Sequence, residues 1–323
     1  MGVRRHLPVI LRVLASATML AILLPQVRLS SLLPTWDPRA VMWLGLALAV
    51  TLLGLVLSTL RWRAVLVVLG LRARVRTLFG HYLAGQFVGN FLPSTIGGDV
   101  LRIARLSASN GERPGTFASV VLERLTGWLV LPLLILAAMV INPTLADLGT
   151  ASAVAFALAG VTLVLLVAVV VAVMSPGIGG RLSGSSGWRR FAGAVHLGLC
   201  RLRDHPIAAV GVLLTGFAYQ LVLVLAAYFA ALSLGLDVGP TAILAFMPAV
   251  AIAQVIPISL GGLGVREGAF VLFLHPLGVS IEQAITLGLL VYGLNLTVSL
   301  LGAPAFAAGG RSAKVPAPTQ ALA

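Results

Sequence analysis

Long apolar stretches constrain this sequence more than any other feature. Six of them reach the length of about 20 residues that a membrane-crossing helix needs. They cover approximately residues 7–27, 38–60, 115–141, 148–174, 206–235 and 281–305. Only 10% of the 323 residues are charged, whereas soluble domains carry about 25%. The sequence therefore predicts an all-α integral membrane protein, a polytopic helical bundle, and excludes a soluble enzyme or a free nucleic-acid-binding protein.

The distribution of basic residues predicts how the spans are oriented. The net charge is +13, and Lys314 is the one lysine among 22 basic residues. Arginines cluster before the first span and at 61–76 and 181–203, and more basic residues follow the last span. In the intervening loops near 28–39, 142–147 and 236–240, the only basic residues are Arg28 and Arg39. Because basic loops stay on the cytoplasmic side, we predict a multi-pass protein of the cell (plasma or inner) membrane with both termini in the cytoplasm.

Two further apolar stretches, 78–110 and 240–275, are interrupted by proline and by glycine pairs. Each is predicted to form two half-helices around a loop, which makes it a broken, re-entrant segment. Both contain the ungapped pattern [Asn/Gln]-x-x-Pro-x-x-x-Gly-Gly-x-x-x-Arg. The first copy places Asn90, Pro93, Gly97, Gly98 and Arg102 at these positions, and the second places Gln254, Pro257, Gly261, Gly262 and Arg266 there.

The position of the two copies predicts an inverted repeat. Each copy follows two spans and precedes one, so an odd number of crossings turns the second half upside down. We predict a first membrane repeat at 1–145, a second, inverted repeat at 146–308, and a disordered cytoplasmic tail at 309–323. In inverted-repeat transporters the broken helices meet near the midplane and build the binding site.

The chemistry of the pattern favours an anion site. Pro93 and Pro257 should end the first half-helices, and the glycine pairs should permit positive φ and close backbone approach. The second half-helices would then point free N–H groups into the membrane, with Arg102 and Arg266 about one turn further on. Because the planar arginine fork suits phosphate, these residues, with Asn90, Gln254 and the four glycines, are predicted to bind substrate. The alternative is a structural kink in which each arginine pairs with an acid.

Further charged residues are predicted to lie inside the membrane, where each costs at least about 2.5 kcal/mol to insert. Asp99, Glu123, Arg124 and Glu267 form this predicted charge network. In the first half, the acids can balance Arg102 and Arg124, either permanently or until a phosphate displaces them. Four polar residues of the later spans are candidates for a cavity lining, although helix–helix hydrogen bonding is the favoured use. They are Tyr219, Gln220, Tyr292 and Asn295.

Between Trp188 and His205, apolar residues recur at helical spacing opposite arginines. This pattern predicts an amphipathic helix, either at the membrane interface or as a linker that covers the bundle.

Together with the span pattern, three motifs resemble the flippase-like membrane domain of bacterial lysylphosphatidylglycerol synthases. They are Gly89–Arg102, Ser119–Arg124 and Pro257–Glu267. The resemblance covers about residues 5–308 and implies a domain that moves a lipid between leaflets. In the synthases, aminoacyl transfer belongs to a separate soluble domain. Since this sequence ends soon after the last span, we expect a stand-alone member without the soluble synthase domain.

The sequence thus predicts a flippase-like transporter of an anionic lipid, phospho- or polyprenyl-phosphate-linked, through an Arg/Gly-lined midplane site. The alternative is a non-transporting scaffold or subunit that assists a partner, an envelope glycosyltransferase or lipid-modifying enzyme. An intramembrane enzyme ranks third. We predict no metal site, because the five histidines are scattered and Cys200 is the single cysteine. We predict no other cofactor and no catalytic residues, and a nucleotide-binding motif is missing. The apolar composition also predicts no nucleic-acid partner. The lipid and the oligomeric state are left open.

Overall fold

A computed structural model of the chain describes residues 14, 16–19, 21–23, 25, 37–91, 97–175, 187–256, 259 and 261–309. Most of the predicted first span, 7–27, lies outside the described residues. The same holds for Pro93, for Pro257 and for the predicted tail beyond Gly309.

The described part of the chain is helical throughout residues 38–309, apart from turns and short 3-10 segments. We number its helices α1 (Pro38–Val68), α2 (Val75–Phe91), α3 (Gly97–Asn110), α4 (Arg113–Ile141), α5 (Thr150–Met174), α6 (Gly187–Asp204), α7 (Pro206–Ser233), α8 (Pro240–Ala253), α9 (Val265–Leu274), α10 (Ile281–Leu300) and α11 (Gly302–Gly309). The predicted amphipathic helix is α6, and it packs on α4 through Phe191 and Phe117, whose ring centroids lie 5.3 Å apart.

Within the residues that the structure describes, five stretches are long and apolar enough to cross a membrane, namely α1, α4, α5, α7 and the stretch Ile281–Ala308. They confirm five of the six predicted spans and the prediction of a polytopic all-α membrane protein. One predicted bound was wrong. Helix α1 does not end before Arg61 but continues to Val68, because the sequence becomes apolar again after Arg63. The predicted last span, 281–305, lies within Ile281–Ala308, where α10 ends at Leu300 and α11 begins at Gly302 and packs against α2.

The first broken segment forms a tight hairpin of α2 and α3. A Cβ atom added to Gly98 would lie 2.2 Å from the carbonyl oxygen of Gly85, and one added to Gly85 would lie 2.8 Å from Cγ of Arg102. The two backbones therefore touch. Gly98 lies against both Gly89 and Gly85, and Arg102, further along α3, also lies against Gly85, so the two helices run antiparallel. At 1.5 Å per residue, the 17-residue α2 is about 26 Å long, short of the roughly 30 Å of hydrocarbon that a span must cross.

The second broken segment, α8 and α9, also turns back on itself. The rings of Phe246 and Phe273 stack with centroids 5.0 Å apart, and Gly262 packs against Gln254 near the tip. At 14 and 10 residues, neither helix reaches the length of a span. Both segments thus have the two-half-helix architecture that the glycine and proline pattern predicts.

The two glycine pairs play different structural roles, which the shared pattern did not predict. Gly261 and Gly262 have φ angles of 58° and 80°, as expected for a left-handed turn. Gly97 and Gly98, by contrast, are already helical and begin α3. Here glycine is required for close backbone approach and not for positive φ. The arginines differ as well, because α9 begins later in its copy: Arg266 is the second residue of α9, whereas Arg102 is the sixth of α3.

The Gly85–Gly98 contact gives a direct test of the first hairpin. Replacing Gly98 with Ala should lower the free energy of unfolding by about 3 kcal/mol, the upper end of overpacking costs, because the new methyl group meets backbone that cannot turn away. The matched control is Gly80→Ala in α2, where an added Cβ has nothing within 4 Å. Thermal unfolding of both variants in detergent should show a loss for Gly98→Ala only. Equal stability of the two variants would contradict the backbone contact.

Two hydrogen bonds between distant segments mark the two ends of the bundle. At one end, Arg201 of α6 donates a hydrogen bond to the carbonyl oxygen of Leu69, which follows α1. At the other, the side-chain amide of Asn142 donates to the Thr241 hydroxyl over 3.1 Å. The first contact joins two segments predicted to be cytoplasmic. The second joins the predicted external loop 142–147 to the first turn of α8, which directly follows the predicted external loop 236–240.

Candidate functional site

A cavity of about 490 Å³ lies between the two hairpins, with walls also from α4, α7 and α10. Eight of the predicted site and network residues line it: Asn90, Gly98, Asp99, Arg102, Arg124, Gln254, Gly261 and Arg266. Gly97, Gly262, Glu123 and Glu267 are not among its lining residues. The structure therefore brings the arginines of both pattern copies to one cavity.

Arg102 is held by two carboxylates and two aromatic rings, and only its Nε lacks a hydrogen-bond partner. Its side chain is 3% exposed, and its guanidinium lies between the rings of Trp62 and Tyr82, at 4.2 and 4.3 Å from their centroids. Nη1 donates to Asp99 over 3.2 Å, and Nη2 donates to Glu123. This arginine consequently has a strong structural role at the cavity wall.

Glu123 is the centre of a buried ion-pair network. Its side chain is 1% exposed, and it accepts hydrogen bonds from Arg102 and, over 2.8 Å, from Nη2 of Arg61. Arg61 is itself buried, and its guanidinium lies 4.8 Å from the centroid of the Tyr219 ring. Gly127 makes room for it, since a Cβ there would lie 2.7 Å from Nη1. The prediction that Arg61 lies in the cytoplasmic cluster was thus wrong, because α1 continues beyond it and Glu123 neutralises it inside the bundle.

Arg124 is adjacent to Glu123 in sequence but faces another acid. Its Nε and Nη2 atoms donate to the two carboxylate oxygens of Asp99 over 2.9 and 3.1 Å, in a bidentate pair between α4 and α3. The Arg124 side chain is 51% exposed, whereas that of Asp99 is 14% exposed. An exposed arginine at the cavity wall can exchange its carboxylate partner for a ligand at a smaller energetic cost than a buried one.

Arg266 makes the longest ion pair of the three buried arginines described here. Its Nε donates to Glu267 over 3.3 Å, and its guanidinium lies 4.6 Å from the centroid of the Tyr292 ring. Glu267 is shared, because its other carboxylate oxygen accepts from the backbone N–H of Gly264 over 2.6 Å and so caps α9. Nη2 of Arg266 is buried without a hydrogen-bond partner, as are Nε of Arg102 and both Nε and Nη1 of Arg61. An unpaired donor of this kind is costly unless a ligand satisfies it.

The charges around the cavity do not cancel. The network described above contains four guanidinium groups, those of Arg61, Arg102, Arg124 and Arg266, and three carboxylates, those of Asp99, Glu123 and Glu267. One positive charge therefore lacks a counter-charge within this network. In a site partly shielded from water, this imbalance favours an anion.

Polar residues of the other helices complete the lining. Tyr219, Gln220, Tyr292 and Asn295, for which helix–helix hydrogen bonding was the favoured use, all line the cavity. The Asn295 amide donates within its own helix, to Val291. Sequence reasoning missed Tyr82, Gln86 and Trp128, which lie on α2 and α4 and also face the cavity. Helical spacing gave a usable signal for the first two, since Tyr82, Gln86 and Asn90 recur every four residues on one face of α2.

Comparison with known protein families decides the classification. The family described as "Lysylphosphatidylglycerol synthase TM region" matches residues 9–302 of the 323-residue chain. The chain belongs to this family. The match includes both hairpins and every residue of the cavity wall, so the cavity is part of the family domain. A search of curated proteins gave no match.

Proposed function

We propose that this protein of the lysylphosphatidylglycerol synthase TM region family translocates an anionic lipid between leaflets and is not itself an enzyme. The phosphate-bearing head group would occupy the cavity between the two hairpins. The observation that carries this proposal is the buried, unpaired Nη2 donor of Arg266 at the wall of a cavity with a net positive surround. A phosphate oxygen is the group that would satisfy such a donor with the strongest hydrogen bond.

The geometry also supports a division of labour among the arginines. Arg266 lines the cavity with an unpaired Nη2, and Arg124 lines it with a half-exposed side chain. Arg61 and Arg102 also have unpaired buried donors, but Arg61 does not line the cavity and Arg102 already binds two carboxylates. Arg266 and Arg124 belong to different halves of the chain, so a head group between them would be bound by both repeats. Arg102 and Arg61 would instead stabilise the wall and contribute positive potential.

The proposal is tested by leaflet-resolved lipid transfer. Purified protein would be reconstituted in phosphatidylcholine vesicles that contain a small fraction of a fluorescent phosphatidylglycerol, and the fraction accessible to an external quencher would be followed over time. We expect faster exchange between leaflets than in protein-free vesicles. Folded protein that gives no increase would overturn translocation and favour the alternative, a scaffold for an envelope lipid- or glycan-modifying enzyme.

We further propose that the end of the bundle with Arg201 and Leu69 faces the cytoplasm of the cell, in the plasma membrane. Cysteine labelling in a Cys200→Ser background tests this orientation. Thr144→Cys should react with a membrane-impermeant maleimide added to intact cells, whereas Arg203→Cys should react only after permeabilisation. Both positions are exposed, so accessibility is matched. Labelling of Thr144→Cys from the cytoplasmic side alone would contradict the proposed orientation and the re-entrant assignment of the first hairpin.

A further inference from the structure

A second concave surface lies beside the cavity, on the outer side of α3, α4 and α5. It encloses about 370 Å³. Seven of its ten lining residues are aliphatic or Phe: Val100, Ile103, Phe117, Val120, Val121, Leu125 and Leu166. We call this surface the α3–α5 groove. Along α4 it extends from Phe117 to Trp128, about 16 Å at 1.5 Å per residue.

The groove adjoins the cavity. The three remaining lining residues, Asp99, Arg124 and Trp128, line both. They stand at the inner end of the groove, where its apolar wall gives way to the polar cavity. The Asp99–Arg124 ion pair is consequently located at the junction between an apolar surface and a cationic site.

The outer side of the groove is open to the hydrocarbon region expected around the bundle. Val100, which lines it, is 58% exposed, and the neighbouring Val164 and Leu165 of α5 are 68% and 60% exposed. Helices α4 and α5 are both long and apolar enough to span a membrane. A lipid could therefore reach the junction sideways from the bilayer without passing through water.

We infer that the α3–α5 groove holds one hydrocarbon chain of the lipid whose head group occupies the cavity. This inference rests on the proposed head-group site and adds a lateral portal to it. A phosphate that reaches the junction meets Arg124 first and takes the place of Asp99 as its partner, while the chain stays against the apolar wall. A single lipid would then occupy both surfaces. Two separate ligands, one for each surface, would not account for the residues that the groove and the cavity share.

Photolabelling tests chain occupancy independently of transport. The protein would be reconstituted in phosphatidylcholine vesicles with phosphatidylglycerol that carries a diazirine in one acyl chain, or with phosphatidylcholine that carries the same chain. Labelled residues would be mapped by mass spectrometry. We expect residues 100–103 and 117–125 to label more strongly with the anionic probe. Val161, Val164 and Leu165, on the exposed face of α5, should label equally with both probes.

Two matched variants sharpen the test. Ile103→Trp should fill the groove, remove the selective labelling and slow leaflet exchange by about tenfold, because apolar contacts of a chain are lost. Val164→Trp, on the exposed face of α5, should change neither. Equal labelling of the groove by the two probes in the parent protein would overturn the inference, whether or not Ile103→Trp folds. Selective labelling without any leaflet exchange would uphold the groove and overturn the proposed translocation.

Discussion

Replacing Glu123 with Gln should lower the free energy of unfolding by about 3–5 kcal/mol, the usual cost of breaking a buried ion pair. Glu123 neutralises two buried arginines at once. Arg102 keeps Asp99 as a second partner, but Arg61 has no other carboxylate in the described ion pairs. Its charge would remain uncompensated in the interior. The measurement is reversible unfolding in mixed micelles, with yield of folded protein as a second indicator.

The pairing pattern predicts which second substitution restores stability. Arg61→Met should partly rescue Glu123→Gln, because it removes the unpaired charge. Arg124→Met should not, since Arg124 pairs with Asp99. Glu112→Gln, an exposed acid just before α4, is the control and should stay within about 0.5 kcal/mol of the parent. A stable Glu123→Gln protein, or rescue by Arg124→Met in place of Arg61→Met, would refute this network.

Lipid transfer should be lost when Arg266 is replaced by Gln, and it should fall about tenfold or more with Lys. Lys keeps the positive charge but loses the planar fork that can bind two phosphate oxygens while Nε stays bonded to Glu267. Lys should largely retain the fold, because it still compensates the buried Glu267, which caps α9 through Gly264. Gln leaves that carboxylate without a counter-charge in the described ion pairs, so Arg266→Gln should also lower stability. Leaflet exchange in proteoliposomes and unfolding of the same samples separate the two effects.

Arg102→Lys should behave differently from Arg266→Lys, although the two arginines occupy the same position of the repeated sequence pattern. Both Nη atoms of Arg102 bind different carboxylates between two aromatic rings, so Lys should reduce stability first and transfer through that loss. Arg203→Lys, at an exposed ion pair, should leave both unchanged. A folded Arg266→Lys protein with the parent rate would remove the bidentate phosphate contact from the proposal.

Several features of this fold are local and could be predicted from sequence. Apolar length specifies the spans, and the two Pro/Gly interruptions locate both hairpins to within a few residues, because the half-helices between them are too short to cross hydrocarbon. The convergence of Arg102 and Arg266 on one cavity agrees with what inverted broken helices would build.

Partner choice inside the bundle could not be predicted in the same way. Glu123 and Arg124 are neighbours in sequence, yet consecutive residues of a helix point about 100° apart and so meet different helices. In the sequence, Arg61 is the first arginine of the basic cluster 61–76. Only the packing of α1 against α7 and α4 shows that its side chain is buried inside the bundle. The different tasks of Arg102 and Arg266 likewise depend on where α3 and α9 begin.

The backbone contact between Gly85 and Gly98 also bears on how the molecule could move. Two helices whose main chains touch have no compressible side-chain layer between them, so α2 and α3 should rock as a single rigid body. Their packing against α4 is different, because it includes the Asp99–Arg124 side-chain bridge, which can break and re-form. We therefore expect the first hairpin to hinge as a unit against α4, with the buried Arg102–Glu123 pair as the fixed contact and the more exposed Asp99–Arg124 bridge as the contact that opens.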